Sequence, residues 1–201
     1  MIHIVGIGPG SPELLTGAGA FLIEKADVIV GSKRQLSDIP PDNPAERKLL
    51  PSQLAELEAF FRERIGQEIV LLASGDPLMY GIGKWALDRF SQEQLQIVPG
   101  ISSIQYLCSR CGIAMNDLYI TSSHGKQPDF DFLLAHSKVA MVTDSKIGPA
   151  EIAEEIMRRK LRKTLIIGEN LSYPEERLHR LKPEQVEAHY EMNVVVILDE
   201  G

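Results

Sequence analysis

The sequence predicts an α/β fold with a mostly parallel sheet, organised in two α/β domains. Apolar runs rich in β-branched residues alternate along the chain with amphipathic helical segments, and this alternation is typical of parallel strands joined by helices. The composition changes after Gly112, where a polar, hydroxyl-rich stretch separates two sets of strands and helices. We therefore place a boundary near Ala114, between domains 1–114 and 115–201, each large enough for its own core.

Each predicted strand is a short apolar run, and each predicted helix repeats apolar residues about every 3.6 positions. The predicted strands are His3–Val5, Val28–Val30, Glu68–Ala73, Gln96–Val98, Val139–Thr143, Thr164–Gly168, a short one at Glu176–Leu178, and Val194–Leu198. The predicted helices are 17–26, 54–65 with Ser52 as its N-cap, 83–90, 101–111 and 148–161.

Charge and hydropathy narrow the classes of partner. The net charge is −7, from 28 acidic and 21 basic residues, whereas binding nucleic acid needs a concentrated basic face. The basic residues at 158–163 are interpreted as the solvated end of a helix. No run approaches the roughly 18 apolar residues that cross a bilayer, and the N-terminal apolar run is too short for a signal peptide. We expect a cytoplasmic protein without a nucleic-acid or membrane partner.

Cys108 and Cys111 form a C-x-x-C pair within a predicted helix. Such a pair occurs in redox sites and as half of a zinc site. No second pair or suitably spaced histidine supplies the other half. We therefore expect two core-facing thiols and no metal site.

Glycines at alternating positions follow the first strand, in VGIGPG. The dinucleotide-binding pattern G-x-G-x-x-G would place its third glycine at Ser11, and Pro9 removes an amide N–H that a phosphate would use. The acidic residue expected at the end of the second strand is also missing, since that strand ends Val30-Gly31-Ser32. A nicotinamide dinucleotide site is disfavoured, and two interpretations stay open: a tight turn, or a loop that a bulky ligand approaches.

Two more glycine-rich turns are predicted at the same edge of the sheet. SGDPLMYGIG follows a buried strand and places Asp76 at its carboxyl end, and VPGISS follows the next strand. A helix N-cap role would by itself account for Asp76, with Pro77 at the first position of the next helix. The same role would account for Ser102 and Ser103 at the start of the helix that follows. Capping does not explain the density of glycines, however. Since ligands bind at the carboxyl edge of parallel sheets, the three turns together predict a cleft.

The order VGIGPG, SGDPLMYG, PGISS and SSHG resembles the tetrapyrrole (corrin and porphyrin) methylases along the whole chain. GSKRQL, SSHG and GENLSYPEER are most similar to the branch that methylates C-5 of (cobalt-)precorrin-7 in cobalamin biosynthesis. Some members of that branch carry a further C(15)-methyltransferase domain; this sequence ends at Gly201, so we expect the stand-alone form. The resemblance also implies a homodimer, two α/β domains, and S-adenosylmethionine in the cleft between them.

The resemblance further implies which positions bind the cofactor. The cofactor-binding residues expected from the motifs are Pro9, Asp76, Met79, Ser103, Ile104, Thr143 and Asn193, with Asn170 a weaker match. Methyl transfer from a sulfonium then needs no strong protein nucleophile, because the reduced tetrapyrrole supplies an electron-rich meso carbon. Positioning can supply on the order of 7–11 kcal/mol of the barrier. Tyr80 and His124 are the candidates for contact with substrate, as catalytic residues.

A precorrin carries many carboxylates, so we expect local basic residues despite the acidic net charge. The candidates that follow predicted edge turns are Lys33, Arg34, Lys84 and Lys126. Three alternatives to the C-5 methyltransferase remain: a methylase for another corrin position, a non-catalytic tetrapyrrole carrier, and a nicotinamide oxidoreductase. The cofactor turns argue against a carrier, which has no use for S-adenosylmethionine.

Overall fold

The structure is a computed structural model that describes residues 1–125 and 127–200. It divides into two compact units, Met1–Ser102 and Ser103–Gly201. Each unit has its own five-stranded sheet and its own hydrophobic core. This confirms the predicted α/β class and its organisation around two sheets.

The N-terminal unit is built on a fully parallel sheet. Its strands are β1 (Ile2–Gly6), β2 (Val28–Gly31), β3 (Glu46–Leu49), β4 (Ile69–Ala73) and β5 (Leu95–Val98). Its helices are α1 (Gly17–Lys25), α2 (Lys33–Ser37), α3 (Leu54–Glu63) and α4 (Gly83–Leu87). The strand order is β3-β2-β4-β1-β5, with every neighbouring pair parallel. The carboxyl ends of all five strands therefore lie along one edge.

Both faces of this sheet are covered. Every residue of β1 and β4 is buried, as expected for central parallel strands with helices on both sides. Leu57 and Phe61 of α3 pack into one cluster, and Ile23 of α1 packs into the other. The apolar spacing that predicts α3 is thus the spacing of the residues it buries.

The C-terminal unit has a mixed sheet. Its strands are β6 (Tyr119–Ser122), β7 (Lys138–Val142), β8 (Lys163–Glu169), β9 (Arg177–Leu181) and β10 (Asn193–Asp199). Its helices are α5 (Ser103–Cys111), α6 (Phe130–Leu134) and α7 (Pro149–Arg158). The order is β6-β7-β10-β8-β9; β6 and β7 are parallel, and the other three pairs are antiparallel.

The prediction of a mostly parallel sheet is therefore confirmed for the N-terminal unit and wrong for the C-terminal one. In the described part of the chain, β8, β9 and β10 follow one another with only a short 3₁₀ turn, Pro183–Gln185, between the last two. A parallel pair needs a crossover of a dozen or more residues, usually a helix, whereas antiparallel neighbours do not.

The two units divide before α5, whereas the sequence places the boundary after this helix, near Ala114. α5 packs on the C-terminal sheet: a Cβ added to Gly168 of β8 would lie 2.8 Å from Leu107 of α5. The change in composition after Gly112 marks the end of a helix, and it carries no information about the sheet on which that helix packs.

Three local predictions differ from the structure or are refined by it. The N-cap position of α3 is occupied by Gln53 rather than Ser52, and no side chain caps the helix. Arg158 and Arg159 pair with Glu155 at the end of α7. Lys163 is buried instead of solvated, because it starts β8 and lies 2.5 Å from Asp199.

The two cysteines are free thiols on α5. Cys108 is buried, as predicted, and Cys111 is half-buried; burial raises the pKa of both thiols. Among the residues that the structure describes, no cluster of three His, Cys, Asp or Glu side chains could hold a metal ion. None of the helices in this part of the chain combines the length and hydropathy that spanning a membrane requires.

Candidate functional site

Three glycine turns meet at the carboxyl edge of the N-terminal sheet. Gly8 and Gly75 form an antiparallel bridge, in which Gly75 N donates to Gly8 O at 2.8 Å. A Cβ added to Gly100 would lie 2.2 Å from Gly75 O, and one on Gly6 would lie 2.5 Å from Gly100 N. Since those neighbours are backbone atoms, the turns come this close only because each residue is glycine. The expectation that three turns share one edge is confirmed.

The carboxylate of Asp76 ties two of these turns together. Its Oδ1 accepts the N–H of Leu78 at 2.8 Å, and its Oδ2 accepts the N–H of Gly100 at 3.2 Å. The alternative role of helix N-cap is wrong, because α4 begins only at Gly83. Before that helix the chain winds around the carbonyl of Pro77, which accepts the N–H of Gly83 at 2.8 Å. Asp76 therefore shapes the edge with both of its oxygens.

The tips of the turns present Pro9, Met79 and Tyr80. Pro9 and Met79 are half-buried, and the N–H of Met79 donates to Asp76 O at 3.2 Å. Tyr80 has a φ of 56° and is 54% exposed. A left-handed backbone costs a residue other than glycine about 1–2 kcal/mol, and such residues cluster at functional sites.

Helix α2 lies over the turn that follows β4. Ser32 and Gln35 form a reciprocal cap at its start, and buried Gln35 donates to Ser74 Oγ at 3.1 Å. The Arg34 guanidinium lies 3.4 Å from the same oxygen, which places it at the carboxyl edge. The neighbouring Lys33 is exposed.

The other two basic candidates, Lys84 and Lys126, are not seen to contact the glycine turns in the described part of the chain. Lys84 is 80% exposed and pairs with Asp88 on its own helix, at 2.9 Å. Lys126 lies outside the described residues. Of the three predicted basic residues that the structure describes, Arg34 has a contact at the carboxyl edge, and Lys33 is its neighbour on α2.

The C-terminal unit has a corresponding polar edge, formed by the carboxyl ends of β6, β7 and β8 and the amino end of β10. Thr143, which directly follows β7, is buried, and its Oγ1 lies 2.7 Å from the carbonyl oxygen and 2.9 Å from Oδ1 of Asn193. Asn193 in turn donates to Glu191 O at 2.7 Å. Two separately predicted residues are thus one hydrogen-bonded pair.

The SSHG segment follows β6 at this edge. The buried Ser122 Oγ accepts the backbone N–H of His124 at 3.1 Å and lies 2.9 Å from its Nδ1. Ser123 donates to Ile147 O at 3.2 Å, which anchors the segment to the loop after β7. In that loop the backbone N–H groups of Ile147 and Lys146 hold the pKa of Asp144 below its usual value, and the charge of His124 lowers it further.

The GENLSYPEER segment follows β8 and is held by a carboxylate that sequence reasoning missed. Asn170 and Ser172 have φ values of 45° and 67°. Glu176 accepts the N–H of Ser172 at 2.7 Å and that of Arg110 Nε at 2.9 Å. Burial by itself would raise the pKa of Glu176, but these donors and Tyr106 lower it. The sequence motif identifies this segment, but it does not show that the Glu176 carboxylate binds the backbone of Ser172 within the same segment.

The start of α5 holds the last two predicted cofactor residues. Ser103 is half-buried, whereas the side chain of Ile104 is fully buried. Ile104 can therefore offer a ligand its backbone groups, and its side chain is part of the core.

Comparison with known proteins assigns the family. Residues 1–187 match the family model described as Tetrapyrrole (Corrin/Porphyrin) Methylases. The chain belongs to the tetrapyrrole methylases. The resemblance noted from VGIGPG, SGDPLMYG, PGISS and SSHG is thereby confirmed.

Three similar proteins represent the tetrapyrrole methylases. Cobalt-precorrin-7 C(5)-methyltransferase of Salmonella typhimurium is 47% identical over 201 residues, which is 100% of each chain. A precorrin-6Y C(5,15)-methyltransferase [decarboxylating] of a Sinorhizobium species is 30% identical over 76% of this chain and 38% of its own length. The solved uroporphyrin-III C-methyl transferase of Thermus thermophilus, in complex with S-adenosylhomocysteine, has a TM-score of 0.78 at 22% identity, covering 98% of this chain and 96% of the other.

Proposed function

We propose that this chain is a methyltransferase of cobalamin biosynthesis that moves a methyl group from S-adenosylmethionine to C-5 of cobalt-precorrin-7. The observation that carries the proposal is the full-length similarity to the Salmonella typhimurium enzyme of that name. The shared family supports it, and so do the two polar sheet edges, because the glycine turns and the SSHG segment are motifs through which the chain resembles that family.

The residues proposed to bind S-adenosylmethionine fit its chemistry. In the N-terminal unit, the bridged glycines leave an edge without side chains, so that main-chain groups near Pro9 and Met79 are accessible to a ligand. In the C-terminal unit, Thr143 and Asn193 offer a fixed pair of polar groups of the kind that binds an adenine edge or a ribose. Ser103 and the backbone of Ile104 complete the proposed set.

Asp76 is proposed to act on the cofactor indirectly, through the turns that it joins. Both oxygens of its carboxylate accept backbone N–H groups, so the carboxylate fixes the positions of Leu78 and Gly100. When bound, S-adenosylmethionine supplies a methyl group already activated as a sulfonium. The protein aligns this methyl group with the substrate, and alignment is worth on the order of 7–11 kcal/mol in well-oriented systems.

The substrate is proposed to contact Tyr80 and His124, and its carboxylates the basic residues of α2. Tyr80 is held with its ring exposed at the carboxyl edge. Arg34 lies beside the turn after β4, with Lys33 next to it. Guanidinium and ammonium groups bind carboxylates by charge-assisted hydrogen bonds even on a chain whose net charge is −7.

The assembly and location belong to the same proposal. The chain is proposed to work as a cytoplasmic homodimer, without a nucleic-acid or membrane partner. The Sinorhizobium relative is named for both C-5 and C-15 and is matched over 38% of its length. A separate decarboxylating C(15)-methyltransferase is therefore the proposed functional partner.

Binding and turnover together test this proposal. We expect calorimetry to show binding of S-adenosylhomocysteine and none of NAD, and we expect cobalt-precorrin-7 to be methylated. Binding without turnover of any precorrin would support the tetrapyrrole carrier instead. Methylation of a different precorrin, with cobalt-precorrin-7 unchanged, would support the alternative of another corrin position.

A further inference from the structure

We propose that His124, oriented by Ser122, is the base that takes up the proton released when the substrate is methylated. This inference rests on the proposed function, since it concerns the same reaction. It goes further by giving one residue a chemical step and a second residue a positioning role. The two side chains lie two positions apart in SSHG, at the carboxyl end of β6.

The chemistry of the substitution requires a base. One bond forms between the methyl carbon and a meso carbon of the substrate, and the bond from that methyl carbon to sulfur breaks. The methyl group replaces a hydrogen, which leaves as a proton while the electron pair of its C–H bond stays in the macrocycle. The released proton carries away the positive charge that the sulfonium brought, so atoms and charge balance without an oxidant or metal. General bases in such steps contribute typically 10²–10⁴-fold.

The geometry of His124 suits proton uptake at Nε2. Its Nδ1 lies 2.9 Å from Ser122 Oγ, and the same oxygen accepts the backbone N–H of His124 at 3.1 Å. A hydroxyl oxygen has two lone pairs, so it can accept both N–H groups. In the proposed resting form the hydrogen is on Nδ1 and is donated to Ser122 Oγ, which leaves the lone pair on Nε2 for proton uptake. The hydrogen bond to Ser122 then persists when Nε2 is protonated.

The loop after β7 places a carboxylate in the surroundings of the ring. The charges of Asp144 and His124 interact, and Asp144 is held by the N–H groups of Lys146 and Ile147 at 2.8 and 2.9 Å. Among the described residues, Lys146 is a second charged group that acts on the same carboxylate. Thr143, a proposed cofactor residue, immediately precedes Asp144, so His124 lies on the same polar edge as the proposed cofactor pair.

Two carboxylates at the described edges, Asp76 and Glu176, are less suited to this step. Both oxygens of Asp76 accept backbone N–H groups, and Glu176 is engaged by Ser172 and Arg110. The ring of His124 is exposed, and no hydrogen bond to its Nε2 is found within the described residues. A histidine ring nitrogen without a hydrogen-bond partner is a common form of general base in proteins.

Two variants and one control test the catalytic role. His124→Ala should lower the single-turnover methylation rate about 100-fold or more, with unchanged affinity for S-adenosylhomocysteine, and added imidazole should restore part of the rate. His136→Gln is the control: His136 is half-buried and lies before β7, at the opposite edge of the same sheet. A His124→Ala rate within threefold of the wild type, or a matching loss of S-adenosylhomocysteine binding, would refute the role of base.

A measurement without turnover tests the positioning role. ¹⁵N NMR of the imidazole in the ligand-free protein should show His124 as the Nδ1–H tautomer, and Ser122→Ala should shift it toward the Nε2–H form while Ser122→Thr preserves it. The Ser122→Ala rate should fall, and Ser122→Thr should recover most of it. An unshifted tautomer in Ser122→Ala would contradict the role of Ser122. If the wild type methylates no precorrin, the proposed function fails, and the NMR result still reports on the dyad.

Discussion

Replacement of Asp76 should weaken the binding of S-adenosylhomocysteine, because its carboxylate joins two of the glycine turns. Asp76→Ala removes the acceptor of two backbone N–H groups, those of Leu78 and Gly100. Asp76→Asn keeps one acceptor oxygen, but its NH₂ group would face one of these N–H donors. The two variants therefore remove two hydrogen bonds and one, respectively.

The expected magnitude follows from these bonds. A backbone donor that loses its partner costs about 1–3 kcal/mol, and since Asp76 is half-buried, water replaces part of each bond. We take the lower end, about 1 kcal/mol for each N–H group. The alanine variant then loses about 2 kcal/mol, which limits the fall in affinity to about thirtyfold. The asparagine variant should fall by roughly tenfold or less.

Isothermal titration with S-adenosylhomocysteine measures this effect, and urea unfolding of each variant shows how much of it appears as lost stability. Asp88→Ala is the matched control, because Asp88 is an exposed carboxylate whose partner Lys84 is on the same helix. Unchanged affinity, within twofold, in both Asp76 variants would refute the role of the turns in binding the cofactor.

Three further outcomes are expected. Gly100→Ala should lower the urea unfolding free energy by about 3 kcal/mol, because its Cβ would lie 2.2 Å from Gly75 O; a loss below about 1 kcal/mol would contradict the close approach. The folded-state pKa of Glu176 is lowered, so its stabilising contribution is present above the ordinary value of 4.5 and is lost as pH falls through the lowered one. Between neutral pH and about pH 3, the free energy of unfolding in urea should therefore fall less for Glu176→Gln than for the wild type. An equal fall in both proteins would exclude this contribution. Arg34→Ala should raise the KM for precorrin about tenfold in steady-state assays at low salt, whereas Lys25→Ala, at the end of α1, should not; equal KM values would exclude Arg34 from substrate binding.

The elements with clear apolar periodicity could be predicted from the sequence. β1 and β4 are buried at every residue, and α3 buries Leu57 and Phe61 at helical spacing. β3 could not be predicted in this way, because Glu46–Leu49 is exposed at all four positions and is a strand only through its pairing with β2. α2 has only five residues, and its start depends on the reciprocal cap of Ser32 and Gln35.

Part of the candidate site could likewise be predicted from the sequence, and part could not. Glycine spacing predicts the three turns, because close backbone approach excludes every other residue type there. The partners of the site residues could not be predicted: Asp76 engages Gly100, 24 positions away, and Thr143 engages Asn193, 50 positions away. Contacts of that separation depend on strand order, which local sequence patterns do not encode.

The glycines of VGIGPG lie against other backbone rather than surrounding a phosphate. Gly8 pairs with Gly75, and Gly6 lies against Gly100. This agrees with the departures from the dinucleotide pattern at Pro9 and Ser11. The turn is thus one side of a three-turn junction, which places the proposed cofactor contacts on its neighbours.

The proposed activity is tested most directly by the position of the transferred methyl group. The protein would be incubated with cobalt-precorrin-7 and S-adenosylmethionine labelled with ¹³C at the methyl carbon, and the product examined by mass spectrometry and NMR. We expect a gain of one labelled methyl group, located at C-5. An unmethylated substrate, or a label at another carbon of the macrocycle, would contradict the proposal.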